Sequence, residues 1–276
     1  GRRHPRLDGK VLGLIFSKAS TRTRVSFTVA RARLGGQTID LNPSVSQVGR
    51  GEPIKDTARV LSRYLNAVAI RTFAQSDLQA YADAASIPII NALTDLEHPC
   101  QALADYLTMQ EAFGSLEGLT MTYVGDGNNV AHSLLIAGAL LGVNVRIGCP
   151  AGFYPLEKVV AQAKAIAAGR SEIVISEDPA EAVRGAHAVY TDVWASMGQE
   201  EEQSTRVQAF RGCCVDESLM RHADAKAIVL HCLPAHRGEE ISAAVMESSA
   251  SRIFDQAENR LHAQQALLAT LLGAGG

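Results

Sequence analysis

Residues 17–27 read S-K-A-S-T-R-T-R-V-S-F, a cluster of hydroxyls and arginines between an apolar run and a helical pattern. Where a buried strand hands over to a helix, backbone N–H groups and the helix dipole favour an anion. Ser20, Thr21 and Thr23 add hydroxyl donors, and Arg22 adds a forked guanidinium that matches phosphate oxygens. The same composition also suits a solvated helix start with a good N-cap. No G-x-x-x-x-G-K-[ST] occurs in the chain, so the run would hold a small anion and not a nucleoside triphosphate.

Four further stretches carry chemistry-bearing residues. Glu97-His98-Pro99-Cys100-Gln101 opens a helix with proline in its first turn. A neutral His98 there can donate to a polarised carbonyl oxygen, or it can simply cap the helix. Tyr123-Val-Gly-Asp-Gly-Asn-Asn-Val130 matches two glycines of G-x-G-x-x-G, but the third is Val130, and Asp126 would repel a pyrophosphate. A tight turn presenting Asn128 and Asn129 remains. Thr191-Asp192 ends a strand before a Ser196-Met197-Gly198 loop; Asp192 suits a substrate ammonium, though a strand-end aspartate also forms turns. Val229-Leu-His-Cys-Leu-Pro234 ends another strand, and adjacent His231 and Cys232 point to opposite faces, which favours a polar contact by Cys232 over a thioester. Arg260, in the last helix, can reach a site or lie in solvent.

These residues need a scaffold, and the rest of the chain describes one. With 276 residues, two domains are expected. Apolar residues make up 47% and charged residues 20%, and 26 Lys+Arg against 29 Asp+Glu leave a net charge of -3, so neither nucleic acid nor an acidic membrane is an expected partner. Five cysteines without a C-x-x-C spacing argue against a disulfide framework or a zinc knuckle. Without a membrane-length apolar stretch or a signal-like start, the expected location is the cytoplasm.

Short apolar runs alternate with helical patterns. Strands are expected at Val11–Phe16, Thr38–Leu41, Ala67–Arg71 and Ile87–Asn91, and helices after Thr21 and at Ile54–Tyr64, Ser76–Ala84 and Pro99–Phe113. The Gly114–Gly118 break restarts the alternation, with strands at Leu119–Val124, Val143–Gly148, Glu172–Ile175, Ala188–Thr191, Ala227–Leu230 and Arg252–Phe254, and a last helix from Glu258. The fold class is α/β, two doubly wound parallel-sheet domains in tandem, 1–114 and 115–256, with helix 257–276 joining the first. In such a fold the cleft between domains is the expected active site.

Taken together and in order, these stretches resemble the aspartate/ornithine carbamoyltransferase family, over essentially the whole chain. Ser20-Thr-Arg-Thr-Arg24 is similar to its carbamoyl-phosphate motif and His98-Pro-Cys-Gln101 to its second anion-and-carbonyl motif. Asp192 with Ser196-Met197-Gly198, and His231-Cys-Leu-Pro234, resemble the signatures of the ornithine branch, where the aspartate branch carries different residues.

The resemblance implies transfer of a carbamoyl group from carbamoyl phosphate to the δ-amine of L-ornithine, without cofactor or metal, in arginine biosynthesis. It implies that Ser20, Thr21, Arg22, Thr23, Arg71, His98 and Gln101 hold carbamoyl phosphate, closed over by Cys232, Leu233 and Arg260. Arg71, His98 and Cys232 would act at the reacting group, and Asn129, Asp192, Ser196 and Met197 would bind ornithine. Gln47 would reach a neighbouring site, so a homotrimer is implied. Carbamoyl transfer to putrescine or N-acetylornithine, or a non-catalytic anion-binding homologue, are the competing readings. Family members usually carry a helix before the first strand, so a segment ahead of Gly1 is expected to be missing. Arg24 is expected to form a structural salt bridge.

Overall fold

A computed structural model of the chain describes residues 7–42, 51–195 and 203–273. Two compact units result, one from Gly1–Cys100 with Arg260–Gly276, the other from Gln101–Asn259. The divisions fall inside two helices, so each of those helices contributes to both units.

In the first unit the elements run β1 (Val11–Phe16), α1 (Thr21–Arg33), β2 (Gln37–Asp40), α2 (Ile54–Tyr64), β3 (Ala67–Arg71), α3 (Gln75–Ala84) and β4 (Ile89–Leu93), followed by the start of α4 (Pro99–Phe113). The four strands form a parallel sheet in the order β2-β1-β3-β4. Strands β1 and β3 are central and nearly continuous in apolar residues because helices cover both faces. Edge strand β2, Gln-Thr-Ile-Asp, is largely exposed, as its polar side chains require. Leu12, Leu14, Phe27, Ala30, Ala69 and Ile90 form a core joined by Leu268 and Leu272 from the end of the chain.

The second unit continues with β5 (Thr120–Val124), α5 (Asn129–Leu141), β6 (Asn144–Gly148), α6 (Glu157–Ala167), β7 (Ile173–Ser176), α7 (Pro179–Val183), β8 (Ala188–Thr191), α8 (Gln203–Ala209), α9 (Glu217–Met220), β9 (Ile228–His231), α10 (Ala243–Met246) and α11 (Ile253–Gly273). Its parallel sheet has the order β7-β6-β5-β8-β9. From α4, Ala102, Tyr106 and Met109 pack in the core of this sheet with Met121, Leu134 and Tyr190.

The two-sheet α/β architecture expected from the sequence is present. The strand expected at Arg252–Phe254 is not: Ser251 makes a single parallel bridge to Val229, and Ile253 already begins α11. Ile253 is buried among Val229, Val245 and Met246, whereas its neighbour Phe254 is exposed, as adjacent residues on a first helical turn allow. Strand β4 lies two residues later than expected, and helices α6 to α10 add to the sequence reading.

Candidate active site

The first unit gathers its chemistry at the C-terminal ends of β1, β3 and β4. Strand β1 ends at Phe16, and Ser17 N–H bonds Arg71 O at 2.8 Å, tying the loop before α1 to the end of β3. Ser20 occupies the N-cap position of α1 in extended conformation, but its side chain makes no capping bond and the first turn carries no acidic residue. The helix start therefore presents donors without a carboxylate of its own to satisfy them. Thr21 and Arg22 are exposed there, while Thr23 is turned inward and buried.

Pairing of β3 with β4 shifts register between Ile70 and Arg71. An irregularity of this kind redirects a side chain at a strand end. Arg71 is largely buried, as are His98 just before α4 and Arg260 in α11. Arg260 Nη2 donates to Thr23 Oγ1 at 2.9 Å, although 237 residues separate them. His98 is only 6% exposed. Burial first, then the positive charges of Arg260, Arg71 and Arg22, hold its pKa well below the ordinary imidazole value. The ring is neutral at pH 7 and keeps one N–H donor.

Lys18 belongs to the same cationic group. Burial and then Arg71 lower its pKa, Asp95 opposes them, and its ammonium lies 4.3 Å from the centre of the Phe73 ring. In the sequence Lys18 stands out only by its place between β1 and the helix start. Arg24 faces elsewhere, bonding Asp40 across to β2 as the expected structural pair. Gln47 lies outside the described residues.

In the second unit Asp192 follows β8 and is buried. Its Oδ1 accepts the Cys232 thiol at 2.9 Å and Val193 N–H at 2.8 Å, and its Oδ2 lies 3.4 Å from Asn128 Nδ2. Burial, then the charge and hydrogen bond of Asp192, raise the Cys232 pKa well above the ordinary thiol value. Cys232 is thus a protonated donor and not a thiolate nucleophile. Asn129 opens α5 beside its N-cap Asn128, whose side chain accepts from Val130 and Ala131 N–H. Asn128 also reaches Asp192 from the same helix start. Ser196 and Met197 lie outside the described residues.

Gly127 explains the glycine-rich turn without a nucleotide. A Cβ on it would fall 2.1 Å from Pro155 N, so the passing loop, rather than a pyrophosphate, requires glycine. Asp126 beside it pairs with Arg206 Nη1 at 2.7 Å. Trp194 stacks on Phe210, a packing role.

His231 is held on both sides. Its Nδ1 accepts Leu233 N–H at 2.8 Å, which places the ring proton on Nε2, 3.0 Å from Glu240 Oε1. Leu233 then takes φ +58°, uncommon for a residue with a branched side chain. Asp192, His231 and Cys232 bring potential metal-ligand atoms within 4.8 Å of one another, as do His236, Glu239 and Glu240. The first set is better explained by hydrogen bonds, since both imidazole nitrogens and the thiol already have partners. Gln101, buried in α4, donates from Nε2 to Asp105 at 2.7 Å.

An anion grip at one parallel sheet, with a buried carboxylate and thiol at a second, defines a two-domain transferase that handles a small anionic donor. The chain belongs to the aspartate/ornithine carbamoyltransferase family: its carbamoyl-P binding domain model matches residues 1–111 and its Asp/Orn binding domain model matches 117–271. Over 99% of its length the chain is 72% identical to an ornithine carbamoyltransferase of Parasynechococcus marenigrum, covering 86% of that protein, and 70% identical, with the same coverage, to one of Prochlorococcus marinus. Among solved structures, ornithine carbamoyltransferase from Pyrococcus furiosus superposes with a TM-score of 0.95 at 51% identity, over 99% of this chain and 88% of that one. The Gloeobacter violaceus enzyme gives 0.89 at 56% identity, over 98% and 88%.

Proposed function

We propose that the chain is an ornithine carbamoyltransferase of arginine biosynthesis, making L-citrulline and phosphate from carbamoyl phosphate and L-ornithine. The observation that carries this reading is the convergence of Arg22, Arg71 and Arg260 on a neutral, buried His98 beside the start of α1. So much positive charge on a largely buried imidazole calls for an anion, and a neutral imidazole with an N–H suits a carbonyl oxygen better than a phosphate.

Ser20, Thr21, Arg22 and Thr23 hold the phosphate, with Arg71 and Arg260, while Gln101, Cys232 and Leu233 complete the carbamoyl-phosphate site. The ornithine δ-amine attacks the carbamoyl carbon and phosphate leaves. Negative charge grows on the carbonyl oxygen, where Arg71, His98 and Thr23 act as donors, each worth roughly 3 kcal/mol. Asp192, with Asn129, Ser196 and Met197, takes the amino-acid end of ornithine. Cys232, as a thiol, donates to Asp192 and holds it in place without forming a covalent bond. The δ-amine reacts in its neutral form, so the site must accept it uncharged.

Gln47 extends into a neighbouring subunit in a homotrimer, and the protein works in the cytoplasm. No helix among the described residues is long and apolar enough to cross a membrane. Citrulline formation measured side by side with ornithine, putrescine and N-acetylornithine tests the substrate; preference for either of the last two overturns it. Arg22→Ala should lower kcat/KM by about a hundredfold or more while the protein stays folded, and near-normal turnover would remove the proposed phosphate grip. Sedimentation of the protein gives the oligomeric state.

A further inference from the structure

A chain of buried polar groups joins two stretches that lie far apart in sequence. Asp105 Oδ1 accepts Gln101 Nε2 at 2.7 Å and Gln256 Nε2 at 2.6 Å. Gln256 Oε1 in turn accepts the backbone N–H of His231 at 2.8 Å. All four residues belong to the second unit and are almost completely buried, with Asp105 and Gln256 at 0% exposure.

The chemistry of this chain fixes orientations. A carboxylate accepts only, so it selects the NH2 side of the Gln101 amide and turns Oε1 away from itself. It does the same to Gln256, whose Oε1 is thereby aimed at His231 N–H. That bond holds the end of β9, from which Cys232 and Leu233 follow, and the His231 ring holds Leu233 N–H as well. One buried carboxylate thus sets the amide of Gln101 in α4 and the exit of β9 together.

We propose that Asp105 and Gln256 are positioning residues for the carbamoyl-phosphate site, acting through Gln101 and through the Cys232-Leu233 segment. The inference rests on the ornithine carbamoyltransferase reading, in which Gln101, Cys232 and Leu233 meet carbamoyl phosphate. Neither Asp105 nor Gln256 touches substrate in this account. Their effect is to present an amide oxygen and a strand end already oriented, so that binding carbamoyl phosphate does not have to order them.

The test uses Gln256→Met, which keeps length and burial but removes both hydrogen bonds, and Asp105→Leu, which keeps much of the volume but removes the acceptor on which two donors converge. Steady-state kinetics on the folded variants should show KM for carbamoyl phosphate raised about tenfold in each, with KM for ornithine changed less than about twofold. The double variant should resemble the worse single variant, because the two side chains act along one line. Gln256→Met with an unchanged carbamoyl-phosphate KM, equal rises for both substrates, or a double variant equal to the product of the singles would overturn the proposal. If Asp105→Leu does not fold, Gln256→Met alone decides. Wild-type protein that makes no citrulline removes the functional reading and this inference with it; active wild type beside kinetically normal variants removes this inference alone.

Discussion

Arg260 donates from Nη2 to the Thr23 hydroxyl at 2.9 Å, binding the middle of α11 to the first turn of α1. The guanidinium also acts on His98 as the largest of the charges that lower its pKa. One arginine therefore orients a hydroxyl and keeps an imidazole neutral, two tasks within the proposed anion site.

Arg260→Ala should then lower kcat/KM for carbamoyl phosphate by about a hundredfold, since a charged donor and the orientation of Thr23 go together. Arg260→Lys should recover little, because an ammonium cannot fork between two acceptors. Initial rates and thermal melting measured on the same preparations separate the explanations: a lowered melting point with intact kcat/KM would mean that Arg260 serves packing only.

His98 makes a prediction about pH. Its folded pKa lies well below the ordinary value of about 6.5, so the folded protein refuses a proton that the unfolded chain accepts. Stability is full above about pH 6.5 and falls as pH drops below it, by about 1.4 kcal/mol per pH unit from this residue, until the folded pKa is reached. Urea unfolding at pH 7.5, 6.0 and 5.0 should show His98→Gln with a shallower loss than wild type. Parallel curves for the two proteins would mean that the imidazole is not held neutral.

Legibility in the sequence divides along a physical line. Strands β1, β3 and β8 could be read because both faces are covered and the apolar run is nearly continuous, while β5 is buried throughout despite its two threonines. Ile253-Phe254 was misleading for the same reason: two apolar residues after a turn fit a strand or a helix until the bridge from Ser251 to Val229 ends the pairing. Arg260 seen locally belongs in solvent, and its bond to Thr23, at the other end of the chain, shows it turned inward. Asp105 and Gln256 gave no signal at all, because an isolated acid and an isolated amide in helical patterns look like surface residues; their meeting at 2.6 Å is a property of the folded chain. Asn128 could have been named beside Asn129 as a residue near Asp192, since an N-cap asparagine has its side chain at the helix mouth.

Cys232 should be unreactive. Burial and Asp192 raise its pKa well above the ordinary thiol value, and its proton is engaged with Asp192 Oδ1. Cys100 and Cys213 are buried and pushed up to about 11, and Cys149 to about 12. Cys214, also raised to about 11, is more accessible than those three. Native protein treated with iodoacetamide at pH 7.5 should therefore label slowly, with Cys214 ahead of Cys232 by peptide mass spectrometry. Asp192→Asn removes the charge that holds the thiol proton and should speed labelling at Cys232. Rapid selective modification of Cys232 in the wild type would contradict its assignment as a thiol donor.

Glu240 is the counterpart of His231, and its two oxygens make opposite demands. Oε1 accepts His231 Nε2–H at 3.0 Å and His236 N–H at 2.6 Å, while Oε2 is buried with no hydrogen-bond partner among the described residues. Glu240→Ala strands two donors, one of them fully buried, and should lower the unfolding free energy by about 2–4 kcal/mol. Glu240→Gln keeps an acceptor at Oε1 and removes a buried charge, so its effect should stay within about 1 kcal/mol of wild type. The urea midpoints of the three proteins check the order. The same comparison reports on chemistry, because Leu233 N–H depends on the His231 ring: KM for carbamoyl phosphate should rise in Glu240→Ala and stay near wild type in Glu240→Gln. Equal losses in both variants would assign the effect to the carboxylate charge rather than to the hydrogen bond that fixes the imidazole.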